Sequence, residues 1–596
     1  MKTLIIVESP HKGELIKKFL SKDYEVLASK GHITDLAKGG RFGIGINIEQ
    51  DFKPHYVLME DKIETLNKLL AAAKKCDQIL IASDPDREGE AIAWHLRQRL
   101  LDTEKPIKRI TFKEITKKAV LESLKHVRDV DDKVFHSQEA RRILDRIVGF
   151  SVSPFLMNYF GPKLSAGRVQ SVVTRMIIDR EVEIEKFVPE DFWNVNVSLS
   201  KDNKTSFIAK YDTKITTQKV ADIITDTMKK ATKFVVSEVI SDEEKRNAPA
   251  PLITSTLQQI MSKNHAVPAD RTMKAAQALY ENGYCTYIRT DSTRTEEDAL
   301  KEVREWLKDN KHVVPVKPNL FKNKDASQDA HECIRPSDLS LDPMNNVEII
   351  DPDQKKVYEV IWKSFVASQM APAIFDTLKI TLYPDNDPKS KIRAGGKALK
   401  DPGYLKMIGT NAATAIDLPS LIKGEELLPF GKNPVGTEKK ATQPSPRYTQ
   451  HTLVKELDNR GIGRPATYAE ILTKITTRDY VTQVGSVYKP TDLGRKINNE
   501  LVKFFEFMDY GYTANMELQL DEIANKNKDH VKMLRDFYTP FKKSLDDAYV
   551  NHGAGICEKC TYPMVLRSAK NGSKFIGCSN YPKCKNTKNA PEVKTN

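Results

Sequence analysis

Asp84, Asp86 and Glu88 alternate at the end of the stretch Ile79-Leu80-Ile81-Ala82-Ser83-Asp84-Pro85-Asp86-Arg87-Glu88, so all three carboxylates can lean to one side. At ~4 Å and an effective dielectric of ~20, each like-charged pair costs roughly 4 kcal/mol. A divalent cation relieves that repulsion, and hard oxygen ligands favour Mg2+ over Zn2+. Another acid, Glu8, closes the apolar run Leu4-Ile5-Ile6-Val7 just before Ser9-Pro10. Either acidic turn alone is compatible with an exposed loop. Two neighbouring strands that present acids at one sheet edge form a site.

Further along, Thr286-Tyr287-Ile288-Arg289-Thr290-Asp291-Ser292 puts Tyr287 and Arg289 on one face of an extended segment. A phenol with a pKa near ~10 is a poor nucleophile at neutral pH. A neighbouring guanidinium stabilises both the phenolate and the phosphoryl oxygens it would attack. Asp329-Ala330-His331-Glu332-Cys333-Ile334-Arg335-Pro336 adds a histidine and an arginine in a polar turn. Taken singly, a tyrosine beside an arginine usually just packs, and a lone histidine is usually a satisfied polar residue. In Ala140-Arg141-Arg142-Ile143-Leu144-Asp145-Arg146, Arg141 and Asp145 stand at i, i+4, which reads plainly as a surface ion pair. Leu164-Ser165-Ala166-Gly167-Arg168-Val169-Gln170-Ser171 is a small-residue turn into a helix, whose N–H groups and Arg168 could meet a phosphate. Cys557-x2-Cys560-x17-Cys578-x5-Cys584 has zinc-ribbon spacing. Four thiolates leave no open position, so this zinc would be structural. Phe575, Tyr581 and nearby lysines suit stacking of single-stranded bases, the alternative being a purely structural knuckle.

The elements that must position these groups follow from periodicity. Leu4–Val7 and Ile79–Ala82 read as buried parallel strands. Each leads into a helix, through Leu15/Phe19 and Ile16/Leu20 in one case and Ala91, Ile92, His95, Leu96 and Leu100 in the other. The acids then occupy strand-to-helix turns, where ligands bind in open α/β sheets. Residues 61–75 read as a crossover helix and Lys108–Phe112 as a further strand, ending the α/β unit near 125. Gly39-Gly40-Arg41-Phe42-Gly43-Ile44-Gly45 reads as a loop. From Asp132 to Lys186 the pattern is helical. After Pro189 the period becomes two, in Phe192–Val197, Thr205–Ala209 and Phe234–Val239. Helical segments run from Thr254 to about Phe365, with Leu257–Asn264 and Met273–Leu279 flanking Pro268–Arg271 as in a helix-turn-helix. Strands resume at Leu378–Leu382 and Gly403–Ile408. One β domain interrupted by a helical insertion explains this order, and its two crossings can act as a hinge.

A chain of 596 residues splits into several domains. No apolar run is long enough to cross a bilayer, and Leu4–Val7 is too short for a signal sequence, so no membrane association is expected. The formal charge of +13 and pI near 9.0 suit a polyanionic partner. Cys76, Cys285 and Cys333 lie far apart, which fits a reducing cytoplasm rather than a disulfide framework. Gly395-Gly396-Lys397 and Gly431-Lys432 lack Walker spacing, so ATP is not the expected energy source.

A glutamate on one strand with Asp-x-Asp-x-Glu on another resembles the toprim domain of topoisomerases and bacterial-type primases. The ordered set Val7-Glu8-Ser9-Pro10, Asp84–Glu90, Ser165–Ser171, Thr286–Ser292, Ala330-His331-Glu332 with Ile334-Arg335-Pro336, and Gly461-Ile462-Gly463-Arg464-Pro465-Ala466-Thr467-Tyr468 resembles type IA DNA topoisomerases, from the first strand to the last cysteine. Glu8-Ser9-Pro10, Gly167–Ser171 and Thr286–Ser292 look like the bacterial topoisomerase I branch, since the topoisomerase III branch tends to carry Lys-Pro after the first glutamate and Pro at the place of Ile288.

The resemblance implies a multidomain α/β, α and β fold closed into a ring able to hold DNA. Its parts would be a toprim domain (1–130), a helical DNA-binding base (131–188 and 447–550), a β arch (189–250 and 373–446), a helical domain with the tyrosine (251–372) and a zinc ribbon (553–590). It implies Tyr287 as nucleophile forming a 5′-phosphotyrosine, Arg289 and Lys12 as charge stabilisers, Glu8 as proton donor to the departing 3′ oxygen, and His331 positioning the phosphate. Asp84, Asp86 and Glu88, with Glu8, would hold Mg2+. Arg141, Arg142, Asp145, Arg168, Gln170 and Arg464 match family positions that contact the strand. The expected protein is a cytoplasmic, monomeric, ATP-independent enzyme that relaxes negatively supercoiled DNA through its single-stranded segments. His11 and Gly13 depart from the small and basic residues common in the family's first turn, whereas Lys12 keeps its place. Cys285 and Cys333 flank proposed catalytic groups without replacing any. One zinc ribbon stands where longer relatives carry several, which leaves processivity open. The competing readings are a toprim primase, which gives Thr286–Asp291 no role, and a non-catalytic single-stranded-DNA-binding protein.

Overall fold

The computed structural model describes residues 2–39, 43–202, 204–323, 331–345, 348–415, 417–526, 528–552, 555–562, 564–569 and 573–589. Gly40, Arg41, Phe42, Asp329 and Ala330, and the expected ribbon bounds 553 and 590, lie outside them.

Four parallel strands open the fold, in the order Tyr24–Ala28, Thr3–Val7, Gln78–Ala82, Ile107–Arg109. Apolar runs without alternation bury both faces of a parallel sheet, and here each face meets a different partner. Leu4, Ile6, Ile79 and Ile81 pack with Leu66 and Leu69 of the Ile63–Ala73 helix and with Ile92 and Leu96 of the Arg87–Leu100 helix. Ile5, Val7, Leu80 and Ala82 share a core with Leu257, Tyr280, Tyr287 and Ile288 from the middle of the chain. Full burial of each Leu or Ile contributes about 1.5–3 kcal/mol, so the acidic sheet and the tyrosine-bearing unit are held against each other by apolar contact.

That unit comprises helices Thr254–His265, Ala269–Glu281, Glu297–Asp309 and Pro352–Ser368. It is inserted into a seven-stranded sheet built from 191–246 and 373–441. The Phe234–Arg246 and Ala373–Pro384 strands pair antiparallel along nearly their whole length, with Arg246 opposite Ala373, so the insertion leaves and returns on adjacent strands. Gly403–Ile408, expected as a strand, is a turn followed by the short helix Leu405–Ile408. Gly403 sits at φ +45° against the Pro372 carbonyl, which turns the chain out of the sheet, and Ile392–Asp401 supplies the strand instead. The long helices Asp132–Phe160 and Arg168–Lys186 share a further core with Gln450–Arg460, Tyr468–Thr477, Tyr510–Lys526 and His530–Asn551.

Candidate active site

Two strand ends and one irregular segment make the site. After Thr3–Val7, Glu8 precedes Ser9, which caps the Pro10–Lys17 helix by accepting the Lys12 N–H at 3.3 Å. Lys12 is consequently buried one turn in, ion-paired with Asp84 and with Nζ 4.9 Å from the Tyr280 ring centre. After Gln78–Ala82, Asp86 caps the Arg87–Leu100 helix by accepting the Gly89 N–H at 2.8 Å. Gly89 approaches the Asp84 carbonyl so closely that a Cβ would lie 2.0 Å from its oxygen. Arg109, wholly buried below the loop, donates to the carbonyls of Asp84 at 2.7 Å and Ile81 at 3.1 Å, and pairs with Glu90 at 3.3 Å.

The third segment starts where the Ala269–Glu281 helix ends at Asn282-Gly283. Gly283 adopts φ +78° with the Ile115 carbonyl 2.7 Å from where a Cβ would be, so glycine is required. The expected extended run is irregular here, yet the Tyr287 N–H donates to the Lys113 carbonyl at 2.8 Å, which hangs the tyrosine directly on the acidic domain. Tyr287, only 4 % exposed, donates its phenol to Asp86 Oδ2 at 2.5 Å. Arg289 Nη1 is 3.7 Å from the same oxygen. His331 Nε2 lies 2.8 Å from the Pro85 carbonyl, with its ring edge-on to Tyr287 at 6.2 Å. Glu8, Lys12, Asp84, Asp86, Tyr287, Arg289 and His331 are therefore brought together.

The electrostatics follow from burial and crowding. Burial, then Asp84, pushes the Glu8 carboxyl up to about 7. Burial also raises Asp84 despite Lys12. Burial, Asp86 and Asp84 drive the Tyr287 phenol well above its ordinary value, so it rests protonated. Burial opposes ionisation of Glu88, but hydrogen bonds from His32 at 2.5 Å and Gln138 at 3.0 Å outweigh it and hold the carboxyl at about 2.

The alternation expected for the three acids is not kept. Asp86 is a cap and Glu88 belongs to the first helical turn, so each acid meets its own partner: Lys12, Tyr287, or His32 with Gln138. Among the described residues, the groups whose donor atoms converge as a metal site are Cys557–Cys560–Cys578–Cys584 and His136–Glu139–His530. The cysteine sulfurs are 3.7 Å (Cys557–Cys584) and 3.3 Å (Cys560–Cys578) apart. Four Zn–S bonds of about 2.3 Å impose a similar spacing, so this set fits a closed structural zinc site.

Asp35, Arg141, Arg142, Asp145 and Gln170 line a cavity of about 430 Å3 between the long helices. The Gln170 Nε2 is buried without a hydrogen-bond partner. A smaller cavity of about 150 Å3 joins Asp86, Glu88, Arg289 and His331 to Arg464. Arg168 lines the larger cavity, with its guanidinium fully buried, 2.7 Å from Glu517 and 3.2 Å from Asp145. Arg141 likewise pairs with Glu517 rather than with Asp145 at i, i+4, and Arg464 pairs with Asp521 at 2.6 Å. Sequence reading missed Glu517, Asp521, His32, Gln138 and Tyr280. Glu517 and Asp521 left a trace, two acids at i, i+4 amid Met516, Leu520 and Ile523; the others left none.

A DNA topoisomerase family model matches residues 129–535, a toprim domain model matches 3–115, and a topoisomerase DNA-binding C4 zinc finger model matches 554–593. Among solved structures, the chain is similar to full-length topoisomerase I from Thermotoga maritima at 34 % identity and a TM-score of 0.81, covering 99 % of this chain and 97 % of that one.

Proposed function

The chain belongs to the type IA DNA topoisomerase family, and from that premise we propose that Tyr287 cuts one DNA strand, holds it as a 5′-phosphotyrosine, and reseals it after another strand has passed. The phenol held at 2.5 Å from Asp86 by a segment hanging on the acidic domain is the observation that carries this reading.

In the proposed cycle the Tyr287 oxygen forms a bond to phosphorus while the bond to the 3′ oxygen breaks. Asp86 Oδ2 is within reach to take the phenol proton, and Glu8, still protonated near neutrality, supplies one to the departing 3′ oxygen. Both transfers reverse on religation. Arg289 and Lys12 offset the charge spread over the phosphoryl oxygens, and His331 orients the phosphate. The all-oxygen donor set has the chemistry of a Mg2+ site; burial first, and then Asp84, raises the Glu8 carboxyl. Asp84, Asp86 and Glu88, with Glu8, would hold that ion, which when bound supplies positive charge beside the phosphate. The covalent bond conserves the energy of the broken phosphodiester, so no ATP is needed. Negative supercoiling assists by exposing single strands, which Arg141, Arg142, Asp145, Arg168, Gln170 and Arg464 would guide toward Tyr287. No described helix is long and apolar enough to cross a membrane. Buried free thiols at Cys76, Cys285 and Cys333 support a reducing, cytoplasmic setting. We read the active species as a monomer, since every group invoked comes from one chain.

Relaxation of negatively supercoiled plasmid with Mg2+ and without ATP tests the reading, with detergent trapping of the adduct. Tyr287→Phe should form no adduct and lose relaxation entirely. Adducts formed by that variant would refute the nucleophile, and full relaxation in EDTA would refute the acidic metal site.

A further inference from the structure

Two helices from distant parts of the chain meet at side chains that strand cleavage does not use. His136 and Glu139 stand one turn apart on the Asp132–Phe160 helix, a spacing that puts both on one face. His530, the first residue of the His530–Asn551 helix, lies against them. The imidazoles of His136 and His530 are parallel within 8°, with centres 4.3 Å apart. His136 Nδ1 lies 3.1 Å from Glu139 Oε2. One nitrogen of each histidine and one carboxylate oxygen of Glu139 all fall within 4.8 Å of one another, and because the two rings are parallel, one imidazole turns about its Cβ–Cγ bond for both lone pairs to meet a single ion. Glu139 is 6 % exposed, and its other oxygen accepts the Tyr56 phenol at 2.9 Å. Both histidines are partly open to solvent, which gives an ion a way in.

We propose that His136, Glu139 and His530 bind a divalent transition-metal ion of the zinc class that clips the His530–Asn551 helix to the Asp132–Phe160 helix. Two imidazoles and a carboxylate are donors for Zn2+, Co2+ or Ni2+ rather than for Mg2+ or Ca2+, which take oxygen-only sets. Three protein ligands leave room for water, unlike the closed four-cysteine site. Both Glu139 oxygens already have partners, Tyr56 on one and His136 on the other, so an incoming ion would replace the His136 contact. Tyr56 has the part that hydrogen-bond partners of metal ligands generally have: by occupying Oε1 it turns Oε2 toward the histidines. The clip would act at the start of the helix that leads to the cysteine module. It also adjoins Gln138, which holds Glu88.

The test uses the full chain, stripped with chelator and titrated with Co2+ in excess Mg2+, which keeps the acidic site beside Tyr287 occupied. The four cysteines are an internal standard, because cobalt bound to them shows intense thiolate charge-transfer bands. The wild type should take up a second equivalent after those bands saturate, with only weak visible bands, and its melting temperature should rise with that step. His530→Gln and Glu139→Gln should lose the second equivalent, weakening it by more than about 100-fold, with the thiolate bands unchanged. Tyr56→Phe should keep the stoichiometry but weaken the step roughly 10–100-fold. Wild-type protein that saturates at one equivalent would overturn the proposal, as would a His530→Gln protein that still binds two. The wild-type titration decides even if Glu139→Gln fails to fold, and His530 is a part-exposed first-turn position.

Discussion

Glu8 stands at the end of a fully buried strand, where burial, then Asp84 and Asp86, oppose its ionisation and Lys12 and Arg289 favour it without prevailing. Between pH 4.5 and about 7 the folded protein keeps a proton on this carboxyl that the unfolded chain has released. Stability from this residue therefore falls as pH rises through that window. Glu8→Gln should be more stable than wild type at pH 8 by up to about 3 kcal/mol and indistinguishable near pH 4.5, in denaturant titrations at both pH values. Mg2+ should raise the melting temperature of the wild type at pH 8 more than that of the variant. An unchanged difference across pH would show that the Glu8 carboxyl does not hold its proton. At this scale the sequence was informative wherever a residue type carried its own chemistry, as Tyr287, Arg289 and the acids did. It was silent on Arg168, because the partner that removes it from solvent, Glu517, comes from a helix far along the chain.

At the level of elements, the Tyr510–Lys526 helix pins the base through that glutamate. Burial would raise the Glu517 carboxyl, but Arg141, Arg168 and Arg464 outweigh it and hold it at about 2. Stability from this cluster is present above pH 4.5 and is lost as pH falls toward 2. Glu517→Ala would leave the buried Arg168 guanidinium with Asp145 alone, and should cost about 3–5 kcal/mol in chemical denaturation. Combining it with Arg168→Met should recover part of that loss. Most helices and strands were legible because their apolar period matched their environment, from Leu4–Val7 to Ala269–Glu281. Gly403–Ile408 was not, since its alternation resembles a strand and only the packing of Gly403 on Pro372 turns it away.

On the scale of the whole molecule, the acidic domain and the tyrosine unit share a core, and ion pairs rim their contact: Lys113–Glu296 at 2.6 Å, Lys118–Asp298 at 2.8 Å and Arg335–Glu114 at 3.0 Å. Strand passage as proposed requires this contact to part. Lys113→Ala should make parting roughly two- to fivefold easier, seen as a larger steady-state fraction of covalent adduct at low salt. The difference should shrink as salt screens the pair. Because Arg246 and Ala373 face each other across an antiparallel ladder, the 126-odd intervening positions begin and end within about 5 Å. The nucleophile therefore travels in a cassette whose two ends are close enough for a tight hairpin to join, while its removal would bare the Ile5, Val7, Leu80 and Ala82 face of the acidic domain.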